Sequence, residues 1–121
     1  MNSRQLVEAF IRLSMQKDEN AKELRELLCE EFRYQSPMSE FRDAAHFLER
    51  PWDERLQPRA IEIDSFLGDE VQACVAYEME SLDPETGRIS FTDWFKFENG
   101  KISAVKSTFD ATQLKENAYR I

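Results

Sequence analysis

The second half of the chain leaves few choices of fold. Four segments, Ala60 to Leu67, Val71 to Leu82, Arg88 to Glu98 and Lys101 to Phe109, read as strands. The joints between them carry Gly68-Asp69, Asp83-Pro84-Glu85-Thr86-Gly87 and Asn99-Gly100, all turn-forming residues. Strands joined this closely pair antiparallel with their neighbours, because a parallel connection needs a dozen or more residues. Between Arg88 and Glu98 the alternation is strict. Ile89, Phe91, Asp93, Phe95 and Phe97 share one face, and Ser90, Thr92, Trp94, Lys96 and Glu98 share the other. A meander with one apolar face must cover that face with another layer. One residue on it is out of character: Asp93 sets a carboxylate at its centre.

The first half supplies the cover. Leu6, Phe10 and Leu13, flanked by Val7 and Ile11, keep helical spacing through about Met15. A second helix carries Leu24, Leu27 and Leu28 on one face, with Asn20 and Glu23 as a capping box at its start. Phe32 to Ser36 reads as a short strand stopped by Pro37. Glu40 to Glu49 reads as a third, shorter helix, and Trp52 to Pro58 as a loop. Helices first and a meander afterwards is an α+β arrangement. With no internal repeat, low-complexity stretch or linker, residues 1–121 form a single domain.

Composition narrows the function classes. The net charge is −8 with both signs dispersed. A nucleic-acid partner needs a clustered basic surface, and an anionic membrane surface repels such a chain, so neither partner is expected. No apolar run approaches a transmembrane span, and the amphipathic N-terminus lacks the apolar segment of a signal peptide. Cys29 and Cys74 lack CxxC spacing and read as buried, reduced thiols, which makes a cytoplasmic location the expectation. With His46 as the one histidine and no Cys cluster, neither a metal site nor a cofactor is expected.

In the stretches LLCEEFRYQSP (Leu27 to Pro37), DAAHFL (Asp43 to Leu48), TDWFKFENGKI (Thr92 to Ile102) and STFD (Ser107 to Asp110), the chain resembles the nuclear transport factor 2-like superfamily. Within it, the similarity is to the SnoaL-like and ketosteroid-isomerase-like branch. The resemblance implies a cone-shaped, cystatin-like fold in which a curved, mainly antiparallel sheet wraps around the N-terminal helices and leaves a pocket. It also implies a homodimer packed through the outer sheet face. Activity does not follow, since such folds host isomerases, cyclases, epoxide hydrolases and proteins without catalysis. The steroid-isomerase set is incomplete here. Ser36 stands where those enzymes carry the aspartate base before a proline, and Phe10 where they carry a tyrosine donor. Asp93 matches their aspartic acid on a late strand.

Asp93 is therefore the candidate catalytic residue, as general acid, general base or ligand anchor. Burial would raise its pKa unless a cation or donors compensate. The alternative is a structural ion pair, and hairpin register separates the two. A two-residue Asn99-Gly100 turn, counted back without interruption, places Asp93 opposite Lys106. A three-residue Glu98-Asn99-Gly100 loop places it opposite Val105, with Ser103, Ser107 and Phe109 on the same face and Lys106 outward beside Thr92. The second register is favoured because it gives Gly100 a left-handed position.

Phe10, Tyr34, Ser36, Phe91, Phe95, Val105 and Phe109 are the candidate ligand-binding residues. Tyr34 reads equally as a core tyrosine, and His46 as a helix-end histidine or a group at the mouth. Glu78 and Glu80 face water or a subunit seam, since Val71, Ala73, Val75, Tyr77 and Met79 form the apolar register. Trp94, with Ala104 and Ile102 expected beside it, marks an outer-face contact. Two functions follow. One is a pocket for a small, mainly apolar molecule with isomerase- or cyclase-like acid/base chemistry at Asp93. The other is a non-catalytic homodimeric module whose cone is filled by its nine phenylalanines.

Overall fold

The computed structural model describes residues 1–16, 21–51, 53–112 and 114. Helix α1 (Ser3–Ser14) is opened by a capping box in which the Asn2 side chain accepts from the Gln5 amide and the Gln5 side chain accepts from the Asn2 amide. A short helix α2 (Ala21–Glu26) leads into strand β1 (Leu28–Gln35). Leu27 and Leu28 therefore leave the helix one turn earlier than their spacing implies. Leu28 instead enters the sheet opposite Ile102. The capping box at Asn20 lies outside the described residues.

The segment expected to be one helix from Glu40 to Glu49 divides in two. Ser36 accepts from the amides of Met38 and Ser39, closing a tight turn that brings β2 (Glu40–Phe41) back against β1. The Asp43 carboxylate then accepts from the His46 amide at 2.8 Å and caps helix α3 (Ala44–Leu48). A 3-10 turn at Glu54–Leu56 precedes the meander of β3 (Pro58–Gly68), β4 (Gln72–Ser81), β5 (Arg88–Glu98) and β6 (Lys101–Thr108).

The six strands form one curved, unclosed sheet in the order β2-β1-β6-β5-β4-β3, antiparallel except where β1 joins β6. This is the α+β cone expected from the sequence. Phe10 anchors α1 on the inner face, its ring 5.5 Å from Phe95, 6.0 Å from Phe32 and 5.8 Å from Phe47. Val7, Ile11, Val75, Met79 and Ile102 complete the apolar seam around it.

Neither expected register is the one formed. The turn at Asn99-Gly100 does contain two residues, both with positive φ, and Glu98 faces Lys101. A bulge then adds one residue to β6 between Ile102 and Ala104, so that Asp93 faces Ser107 and Trp94 faces Lys106. The bulge exists because Ile102 and Val105, three apart, must both face inward. Val105 and Ser107 consequently share the Asp93 face as expected, whereas Ile102 enters the core rather than lying beside Trp94. The two cysteines are free and half-buried, on strands separated by β6 and β5.

Candidate functional site

On the inner sheet face Asp93 sits between Phe91 and Phe95 along β5, with Val75 opposite on β4 and Ser107 opposite on β6. Only 2% of it is exposed. Its Oδ1 accepts from the Ser107 hydroxyl at 2.6 Å and its Oδ2 from the Tyr77 hydroxyl at 2.8 Å. Tyr77 reaches it diagonally from the neighbouring pair, its ring stacked on Phe91 at 5.0 Å. Among the described residues no Lys or Arg pairs with this carboxylate, so the ion-pair alternative with Lys106 does not hold. Loss of hydration raises its pKa from an ordinary 3.8 to about 6, against the opposing pull of the Ser107 and Tyr77 hydroxyls.

The polar cluster extends to Tyr34 on β1. Burial, followed by the charge of Asp93, pushes its phenol up to about 12, while the neighbouring Ser107 and Ser36 hydroxyls and the Arg50 charge act in the opposite direction. Tyr77 is raised as well, first by burial and then by Asp93. Both phenols keep their protons at neutral pH. Three hydroxyl-bearing side chains thus stand around one carboxylate.

This cluster closes one wall of a cavity of about 250 Å³ between the sheet, the end of α1 and α3. Phe10, Tyr34, Ser36, Phe91, Asp93 and Phe109, all singled out from the sequence, line it together. Phe95 and Val105 do not. They face each other nearer the hairpin, both buried and with Phe10 against Phe95, and are core residues. Ser36 lines the cavity, but its hydroxyl is engaged by Met38, Ser39 and the Ser39 hydroxyl, as a turn residue rather than a base.

Sequence reasoning missed Tyr77 and Ser107 as partners of Asp93. The first was within reach. Counting back across the Asp83 to Gly87 joint puts Tyr77 on the Asp93 face. It also missed Arg50, which follows α3 with no periodic signal. Arg50 lies over the Phe47 ring at 4.1 Å and donates to the carbonyls of Phe47, at 2.9 Å, and Ser14.

The remaining candidates lie elsewhere. His46 is exposed, with Nδ1 2.7 and 2.8 Å from the two Asp43 oxygens, and that hydrogen bond raises its pKa. Glu78 points away from the cavity and pairs with Arg88 at 3.2 Å. Trp94 is 57% exposed on the outer face. No group of three His, Cys, Asp or Glu among the described residues is placed to hold a metal ion. No helix among them is long and apolar enough to cross a membrane.

A family model described as a SnoaL-like domain matches residues 7–105, most of the chain. No curated protein matches it in sequence. Among solved structures, it is similar to an NTF2-like protein of unknown function from Cytophaga hutchinsonii, with 18% identity, a TM-score of 0.71, and coverage of 95% of this chain and 96% of that one. An LEH-like epoxide hydrolase from M. tuberculosis matches at 20% identity and a TM-score of 0.65, covering 96% and 88%. A de novo designed protein with a curved β-sheet matches at 16% identity and a TM-score of 0.70, covering 96% and 93%. At these identities the likeness is one of fold.

Proposed function

The chain belongs to the SnoaL-like domain family, and on that premise we propose that its cavity binds a small, mainly apolar ketone and that Asp93 moves a proton on it. One observation carries this reading: a carboxylate that has no cationic partner among the described residues and is held at a cavity wall by the Tyr77 and Ser107 hydroxyls. A pKa of about 6 leaves it mostly ionised at neutral pH yet close enough to that pH to exchange a proton readily. Its role is general base on carbon next to a carbonyl. The Tyr34 hydroxyl, protonated and on the same wall, is available to the carbonyl oxygen.

Size and lining set the ligand class. About 250 Å³ falls below the roughly 300–1,000 Å³ usual for drug-sized ligands, which favours one or two rings over a larger polycycle. Phe10, Phe41, Phe47, Phe91 and Phe109 supply the apolar walls. The cavity also counts against a cone filled by its own phenylalanines. The reaction is isomerase- or cyclase-like, without the steroid-isomerase set, because Phe10 has no donor and Ser36 is tied into its turn.

The test is exchange of α-protons for deuterium in a panel of one- and two-ring aryl ketones, followed by NMR. The protein should accelerate exchange for some members, with a pH profile rising to a plateau above about 6. Asp93→Asn should lower the rate by at least about a hundredfold. A panel that neither exchanges nor raises the melting temperature overturns the reading.

A homodimer formed through the outer sheet face is part of the same proposal. It is supported by Leu67, 76% exposed, and Trp94, which flank Cys74 in one row across β3, β4 and β5.

A further inference from the structure

Buried charges in proteins are ordinarily paired, and Asp93 is not. Among the described residues its carboxylate meets two hydroxyls and no cation. The walls around it are aromatic. Tyr77, Phe91 and Phe109 follow one another with ring centroids 5.0 Å apart, and Phe47 stands 5.0 Å from Tyr34 and 5.8 Å from Phe41. Arg50 and Asp53 are the other charged groups described on the lining. Arg50 lies over the Phe47 ring at 4.1 Å, so one cation already rests on an aromatic wall here. Its charge acts on the Tyr34 phenol, whereas burial and the Ser107 and Tyr77 hydroxyls set the pKa of Asp93. Asp53 is gripped by Arg55, which reaches its two oxygens at 3.0 and 2.9 Å.

We infer that the cavity also takes a small organic cation of the methylated ammonium class, its charge lying against Asp93 inside the aromatic walls. This ligand class goes beyond the ketone reading and does not rest on it. A bound cation supplies the partner that the carboxylate lacks, and away from bulk water their attraction is weakly screened. Aromatic ring faces carry the negative side of a quadrupole, so they hold an ammonium where aliphatic walls would not. Methyl groups in place of N–H protons pack on those rings and need no further hydrogen-bond acceptor. A net charge of −8 draws cations toward the protein. Once seated, such a cation turns Asp93 into a counter-ion and excludes a ketone from the same space.

NMR titration with phenyltrimethylammonium and tert-butylbenzene, alike in shape and different in charge, provides the test. The unmodified protein should bind the cation at least about tenfold more tightly than the hydrocarbon at about pH 8 and low salt. This cation does not titrate, so any change with pH belongs to the protein. Tyr34 and Tyr77 keep their protons across the range, and although burial raises Asp53, its hydrogen bonds to Arg55 prevail and leave its pKa lowered. The preference should therefore shrink near about pH 5, where Asp93 is mostly protonated. Asp93→Asn should bring the two ligands to within about twofold at both pH values. Equal or tighter binding of the hydrocarbon by the unmodified protein overturns the inference. So does a preference that survives Asp93→Asn or stays the same at both pH values. If neither compound binds, the inference fails, while deuterium exchange in the ketone panel still judges the ketone reading on its own. Where a panel ketone exchanges, the cation should slow it competitively, and exchange untouched by saturating cation also overturns the inference. Should Asp93→Asn fail to fold, the pH dependence of the unmodified protein decides.

Discussion

A carboxylate kept from water is expensive, and at Asp93 the cost depends on pH. Its pKa is higher in the folded protein than in the unfolded chain, so between about 4 and 6 the folded state holds the extra proton. Stability therefore falls as pH rises through that window, and the cost is complete above it. A shift from 3.8 to about 6 corresponds to about 3 kcal/mol. Asp93→Asn removes the charge but offers a single acceptor to the two hydroxyls of Tyr77 and Ser107. The variant should be more stable than the parent by about 1–3 kcal/mol near pH 8, with the advantage gone near pH 4. Urea melts at the two pH values measure this. An advantage independent of pH would mean that the carboxylate carries no electrostatic burden. A destabilising charge at a cavity wall is consistent with the proposed use of Asp93, since stability is commonly given up where function needs it.

At the scale of elements, periodicity was readable and register was not. Arg88 to Glu98 forms a strand over its whole alternating length, because period two with a buried face admits one solution. The β6 register depended on a single interruption: Ile102 and Val105 are three apart, which only a bulge lets both face inward. Helix α3 was overread because Glu40 and Phe41 fit a helical pattern, and the capping role of Asp43 outweighed that pattern. Cavity residues on sheet positions could be found by alternation, whereas Arg50, placed by a helix end, could not. The β5–β6 turn supplies a direct test. Gly100 has φ +75°, and no atom lies within 4 Å of where a Cβ would sit. Gly100→Ala should therefore cost the backbone strain alone, about 1–2 kcal/mol in chemical denaturation, without moving Asp93. A neutral effect would mean that the turn relaxes into another type.

For the whole molecule, a curved sheet creates two surfaces of different use. Its hollow face is lined by helices except at the cavity, while its outer face has no layer over it among the described residues. Leu67, Cys74 and Trp94 share one row on that outer face, each directly paired across the sheet with the next. Lys106 continues the row beyond Trp94, and Lys96 lies two residues along β5. An apolar strip with a cationic edge fits a symmetric partner better than water, since apolar side chains in a core with a polar rim are the usual anatomy of a subunit contact. A twofold-related copy would lay Trp94 against the partner's strip and leave both cavities, on the opposite face, unobstructed. Light scattering at micromolar concentration should then give twice the monomer mass, and Trp94→Lys should give the monomer with its helical and sheet signals unchanged. The proposed seam and the cavity lie on opposite faces of the sheet, so the monomeric variant should retain the proposed ketone exchange. If Trp94→Lys stays dimeric, the seam lies elsewhere. If it loses exchange while remaining folded, the two faces are coupled through β5, the one strand that carries both Asp93 and Trp94.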